Sequence, residues 1–353
     1  MPRAVKVLYA VLATLLLAAP APAVTASAQP LRPVRPAAAE IQGQARAKTE
    51  AKTRAEAEAK AEAGARTGVP AVEPAPAPAA PPAPRAPGVR GLEIAVPAYV
   101  WANDPMLADL TATGPAASVV VLNPGNGDSP FDGPWQTRAD ALRGGTTATG
   151  EKTKVLGYVH TDHGSRSAAA VKASVDNYLK TPDGRLHVDG IFFDVVSREC
   201  GPGNATRDHY AELRRYVQEV MDAADPAAPD LVVNNPGTAI ADCYLEPGRR
   251  TADVFVTYED THAAYNAGGW LGGNVFNHLS GYRAGTELDP SGTAFWHLVH
   301  GVPDAEAMRA TLRTAFDRGA GYAYATGTVM PNPWNAGPAW KYRAQTAYAA
   351  TLG

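Results

Sequence analysis

Cysteine is nearly missing. The 353 residues hold two, Cys200 and Cys243. Neither belongs to a C-x-x-C pair, which leaves no metal-type or thioredoxin-type cysteine motif. Past the amino-terminal segment no apolar run is long enough to cross a bilayer, so no membrane span is expected in the mature chain. The net charge is only −3, and the second part of the chain carries no dense basic patch. Nucleic acid is therefore not an expected partner. No G-x-G-x-x-G follows the first strand-like stretch, which argues against a dinucleotide fold, and no G-x-S-x-G elbow supports a serine hydrolase. Aromatic residues are scarce in residues 1–88, which are rich in Ala and Pro, whereas all six tryptophans lie in 89–353. The core must be built there.

The amino terminus has the form of a secretory signal. Arg3 and Lys6 precede an apolar run from Val7 to Ala19, and Ala26-Ser27-Ala28 resembles a cleavage site with Gln29 as the mature start. An uncleaved anchor is the alternative. Residues 1–28 are thus expected to direct a secreted, extracellular protein. Residues 29–88 form a low-complexity linker. Its Ala/Glu/Lys/Arg part has helix formers without an apolar stripe, and its Ala-Pro part suits an extended spacer. In an exported chain the two cysteines read most simply as one disulfide, with two free thiols as the alternative.

From Gly91 onward, strand-like and helix-like stretches alternate. Strands are expected at 92–101, 118–123, 154–161, 188–196, 230–235, 253–259, 293–299 and 321–326. Helices are expected at 104–113, 135–142, 167–180, 206–224, 304–318 and 339–352, and the Gly- and Asn-rich stretch 267–292 is too irregular to assign. The run Val188–Val196, V-D-G-I-F-F-D-V-V, has the pattern of a strand buried on both faces, with Asp194 where the apolar run ends. Roughly 265 residues of alternating elements fit a (β/α)8 TIM barrel, an α/β fold of typically about 250 residues. A doubly wound open sheet is the alternative.

In such a barrel the carboxyl ends of the strands meet on one face. There the sequence places Tyr99, Trp101, Asn123, Asn126, Tyr158, His160, Asp162, Asp194, Asn234, Asn235, Tyr258, Glu259, Asp260, His297, His300, Tyr324 and Thr326. Aromatic rings stack on pyranose faces, while amides and carboxylates bind hydroxyls. Asp194 and Glu259 form the best pair for glycosidic cleavage, which needs one acid and a second group to support the cationic centre. Glu259 suits the acid if Tyr258 and Trp296 lie beside it. His160-Thr161-Asp162-His163 lacks a matched third ligand, so no metal and no cofactor are expected. Cys200 and Cys243 would lie on loops at this same face.

Residues 91–353 resemble the spherulin-4 (spherulation-specific) family. The matching stretches are P-A-Y-V-W at 97–101, V-V-L-N-P-G-N-G at 120–127, V-L-G-Y-V-H-T-D-H-G at 155–164, G-I-F-F-D at 190–194, V-V-N-N-P-G-T at 232–238 and V-T-Y-E at 256–259. The resemblance implies a (β/α)8 barrel and a secreted glycoside hydrolase acting on polysaccharides with α-1,4-linked N-acetylgalactosamine or galactosamine. The family's acidic residues are an Asp-Glu pair ending strand four and a Glu ending strand six. Asp194 and Glu259 match the first and last, whereas Val195 stands where the family has Glu. The expectation is an amino-sugar hydrolase acting as a monomer on a polysaccharide. Its rivals are a catalytically silent carbohydrate-binding barrel and a purely structural envelope protein.

Overall fold

The computed structural model describes residues 91–246, 248–267 and 293–352. The expected signal and linker, and the irregular stretch apart from its first residue, lie outside the described residues. Eight strands run β1 (Glu93–Ala98), β2 (Val119–Leu122), β3 (Lys154–His160), β4 (Gly190–Asp194), β5 (Leu231–Asn235), β6 (Val254–Thr261), β7 (Ala294–His300) and β8 (Tyr322–Ala325). Each pairs in parallel with its neighbour, and β8 closes on β1, giving a barrel in sequence order. The open-sheet alternative is thereby excluded. The strands are buried almost throughout, because helices cover the outside of a parallel sheet while side chains fill the inside.

The helices are α1 (Pro105–Ala112), α2 (Gly133–Arg143), α3 (Ala168–Leu179), α4 (Ala205–Ala224), α5 (His262–Ala267), α6 (Ala305–Asp317) and α7 (Tyr342–Ala349). Their starts follow from local chemistry. Asp104 accepts from the Met106 N–H before Pro105, Ser167 accepts from Ala170, and Asp304 accepts from Glu306 and Ala307. Along α4, Tyr210, Leu213, Val217 and Met221 recur at helical spacing and are all buried. Among the described residues no α-helix stands between β5 and β6. Pro236-Gly237 and Pro247-Gly248 bracket a segment that forms only a short 3-10 turn, Asp242–Leu245. The expected last helix is also shorter, starting at Tyr342 rather than Ala339.

Cys200 and Cys243 form a disulfide with their Cα atoms 6.2 Å apart. It ties the loop after β4 to the turn after β5. At the other end of the barrel the chain approaches β4 through His187, which is buried. Its Nδ1 lies 3.0 Å from an Asp140 oxygen and its Nε2 lies 2.9 Å from an Asp183 oxygen. Beside it the Arg143 guanidinium forks onto Asp189, whose other bond is from the Val155 N–H.

Gly190 opens β4 at φ +146°, and a Cβ there would lie 1.9 Å from the Leu231 carbonyl oxygen of β5. Gly190→Ala is expected to lower the unfolding free energy by at least about 3 kcal/mol in urea titrations. The hydrogen bond from His187, followed by that from Thr181, pulls the Asp183 carboxyl from its usual 3.8 down to about 2. A depressed folded value stabilises above the unfolded value and is lost as pH falls through the folded one. The urea midpoint of the wild type should therefore exceed that of Asp183→Asn at pH 5, and the gap should close between about pH 4 and 2.

Candidate active site

Side chains alternate along a strand, so the register of paired strands determines which of them meet inside. Asp194 pairs with Asn235 and with His160, and Tyr158 pairs with Phe192. These residues, apart from the partly exposed His160, are buried. Tyr158 packs edge-on against Tyr99 and stacks on Phe192, which meets Trp296 at 5.7 Å. The row of rings forms the floor on which Asp194 sits.

Glu259 reaches the same place by a different route. Up to Val256, β6 keeps a regular register with β7, where Val256 pairs with the inward Trp296. The register then shifts, so that Tyr258 pairs with His297 and Glu259 with Leu298. Thr257 is the extra residue of a β-bulge. Regular alternation from Val256 would turn Tyr258 into the barrel and Glu259 outward. The bulge reverses that order, which is a common use of such irregularities.

One amide joins the two carboxylates. The Asn235 Nδ2 donates to Asp194 Oδ1 and to Glu259 Oε2, both at 2.8 Å. A planar amide nitrogen that points its two hydrogens at two oxygens holds them about 5 Å apart. The remaining oxygens are also bonded. Tyr158 OH donates to Asp194 Oδ2 at 2.7 Å, and Trp334 Nε1 donates to Glu259 Oε1 at 3.1 Å. Burial, reinforced by the Asp194 and Glu259 charges, pushes the Tyr99 and Tyr158 hydroxyls well above their usual range, so both remain donors. Burial lowers His160 and outweighs the opposing pull of Asp194, which keeps its ring uncharged at neutral pH.

The backbone after Asp194 is strained. Val195 has φ +53°, a left-handed conformation that a β-branched residue rarely adopts. The loop after β3 holds it there. Thr161 N–H donates to the Asp194 carbonyl, His163 N–H to the Val195 carbonyl, and the Thr161 hydroxyl lies 2.9 Å from both carbonyl oxygens. The Tyr210 hydroxyl of α4 supports Thr161 at 3.1 Å.

The sequence-expected residues divide into three groups. Tyr99, Tyr158, His160, Asp194, Asn235 and Glu259 come together. Asn123 and Asn126 sit at the rim after β2, where Asn123 Oδ1 accepts the Asn126 N–H and shapes a turn. Thr326 is buried with its hydroxyl 3.2 Å from that of Thr328, and Trp101 stands exposed at the end of β1. The structure does not bring Asn234, Tyr258 and His297 to the mouth, which corrects the expectation for all three. Asn234 is one residue out of phase with Asn235 and its amide faces the Thr251 carbonyl. Tyr258 and His297 turn outward onto Tyr265 of α5, and Tyr265 OH lies 2.7 Å from His297 Nδ1. Trp334 carries no strand-end signal in the sequence, because it lies well beyond β8 in a Pro-rich loop.

Replacing Val195 by Gly, which tolerates positive φ, is expected to raise the unfolding free energy by about 1 kcal/mol, measured by urea denaturation.

The sequence profile of spherulation-specific family 4 matches residues 93–346. No curated protein matches closely enough to count as a relative. Among solved structures, Sph3 of Aspergillus clavatus in complex with GalNAc aligns with a TM-score of 0.56 at 21% identity, over 74% of this chain and 98% of Sph3. Looser likeness, at a TM-score of 0.38 and 10% identity, is found to the endo-1,4-beta-mannanase of Eisenia fetida, over 74% of this chain and 91% of that one. The likeness is one of fold, a closed eight-stranded parallel barrel. The profile match spans most of the chain, and the chain belongs to spherulation-specific family 4.

Proposed function

We propose that this protein is a secreted glycoside hydrolase that cleaves an amino-sugar polysaccharide of the α-1,4-linked N-acetylgalactosamine or galactosamine type. The observation that carries the reading is the pair Asp194 and Glu259 sharing the Asn235 amide in a pocket floored by tyrosines. Glu259 is the more accessible carboxylate and serves as acid/base, protonating the leaving glycosidic oxygen. Asp194 is buried, with a hydrogen bond on each oxygen, and faces the anomeric carbon: its carboxylate bonds to that carbon as the glycosidic C–O bond breaks, and a water that gives its proton to Glu259 then displaces it. A separation of about 5 Å is the spacing of retaining pairs, too short to seat a water between the carboxylates. Asn235, Tyr158 and Trp334 hold the pair in position, and Tyr99 offers a ring and a protonated hydroxyl to the sugar. Membership of the family supports the substrate class, as does the GalNAc bound in the Sph3 crystal structure. The disulfide fits the extracellular location.

A second reading is favoured by Val195, which supplies no carboxylate beside Asp194. On that reading the barrel binds amino-sugar chains without cleaving them.

The test is hydrolysis of a panel of amino-sugar polymers by the full chain, with product anomers followed by NMR. Oligosaccharides should be released with retained configuration, and Glu259→Gln and Asp194→Asn should each slow release by about a thousandfold. Binding with no release would replace the hydrolase by the second reading, and inverted products would remove the direct role given to Asp194.

A further inference from the structure

Among the described residues, the exposed large apolar side chains are Trp101, Val329 and Met330, at 73%, 59% and 44% exposure. Scattered single apolar residues need no explanation, but these three are not scattered. Trp101 follows β1 and the other two follow β8, and these strands are hydrogen-bonded neighbours in the barrel. All three therefore lie on one side of the mouth that holds Asp194 and Glu259.

The backbones that carry them are pinned. Trp101 O accepts the Asp104 N–H at 2.9 Å, and Thr328 O accepts the Gly301 N–H at 3.0 Å. The Tyr99 N–H donates to the Trp334 carbonyl at 3.0 Å, which joins the β1 end to the loop after β8. The nearby Lys341 is paired with Asp109. This apolar lip is thus held in place before any ligand arrives, so little ordering entropy opposes binding. It is also continuous with the carboxylate pair, because Trp334 holds Tyr99 through its carbonyl and Glu259 through its indole N–H. The adjoining part of the mouth, after β2 and β3, carries Asn126, Asp128, His160, Asp162 and His163 instead.

We propose that Trp101, Val329 and Met330 form a separate subsite for sugar units away from the bond being cleaved, so that the protein favours long chains over short ones. The inference rests on the amino-sugar reading above and deepens it. A galacto-configured pyranose presents the C–H groups of carbons 3, 4 and 5 together on one face, and an exposed indole is the natural platform for that face. A linear polymer seated on the carboxylate pair extends outward over the rim, and on this side the charged groups already have partners, Asp104 in the Met106 N–H and Lys341 in Asp109.

The experiment uses the full chain carrying Glu259→Gln, so that ligand survives. Calorimetry measures its affinity for an α-1,4-linked galactosamine disaccharide and for a long oligosaccharide of the same linkage. Adding Trp101→Ala should reduce the preference for the long ligand about tenfold, the loss of one aromatic contact. Met330→Ser should act in the same direction more weakly, with the melting temperature of each variant unchanged. Equal weakening of both ligands, or no change in either, overturns the subsite while leaving the amino-sugar reading intact. Self-association that disappears with Trp101→Ala also overturns it, since the lip would then serve a second copy. Failure of the Glu259→Gln chain to bind either ligand overturns the subsite and the amino-sugar reading together.

Discussion

The Asn235 amide is the interaction on which the candidate site depends. Two carboxylates brought close together in a buried pocket repel each other, and each loses hydration. A single Nδ2 that donates to both oxygens offsets part of that cost and fixes their separation at the same time. The three participants come from three consecutive strands. Asp194 ends β4, Asn235 ends β5 directly opposite it, and Glu259 lies near the end of β6. Parallel pairing sets the first two side by side. The third arrives only because β6 carries one extra residue.

Around this bridge the rest of the mouth consists of supports. Tyr158 and Trp334 occupy the outer oxygens, and they come from opposite parts of the chain. Thr161 and His163 hold the backbone of Asp194 and Val195 in a turn that valine disfavours, at a cost of order 1–3 kcal/mol. The disulfide and the buried Arg207, which bonds Asp208 and Glu246, tie down the loops after β4 and β5. Non-glycine residues with positive φ, such as Asn126, His163 and Val195, gather at this end of the barrel. The other end is braced by ion pairs such as Arg143 with Asp189 and by the His187 contacts.

Much of this was legible in order along the chain. The strands are short apolar runs closed by polar residues, and their alternation with helical spacing led to the barrel. Asp194 and Glu259 stand out because carboxylates interrupt or end such runs. Neighbours on a strand are not equivalent, because their side chains point to opposite faces. Asn234 and Asn235 cannot both face inward, nor can Tyr258 and Glu259, and strand-end position alone does not say which does. The helix missing after β5 could be anticipated from Pro-Gly at both ends of that segment. Trp334 had no comparable signal, since a residue in a long loop can return to the mouth from any direction.

The sequence by itself determined the periodicities and the alternation of strands with helices, because those depend on which residues are apolar and how they are spaced locally, whereas closure into a barrel instead of an open sheet came from β8 pairing with β1. It also supplied the family pattern and the departure from it at Val195. Tertiary structure decided which side chains share the pocket. That outcome depends on the register between strands and on the bulge at Thr257, and both are settled by packing against neighbours distant in the chain. An identical run of residues without the bulge would place Tyr258 inside and Glu259 against the helices.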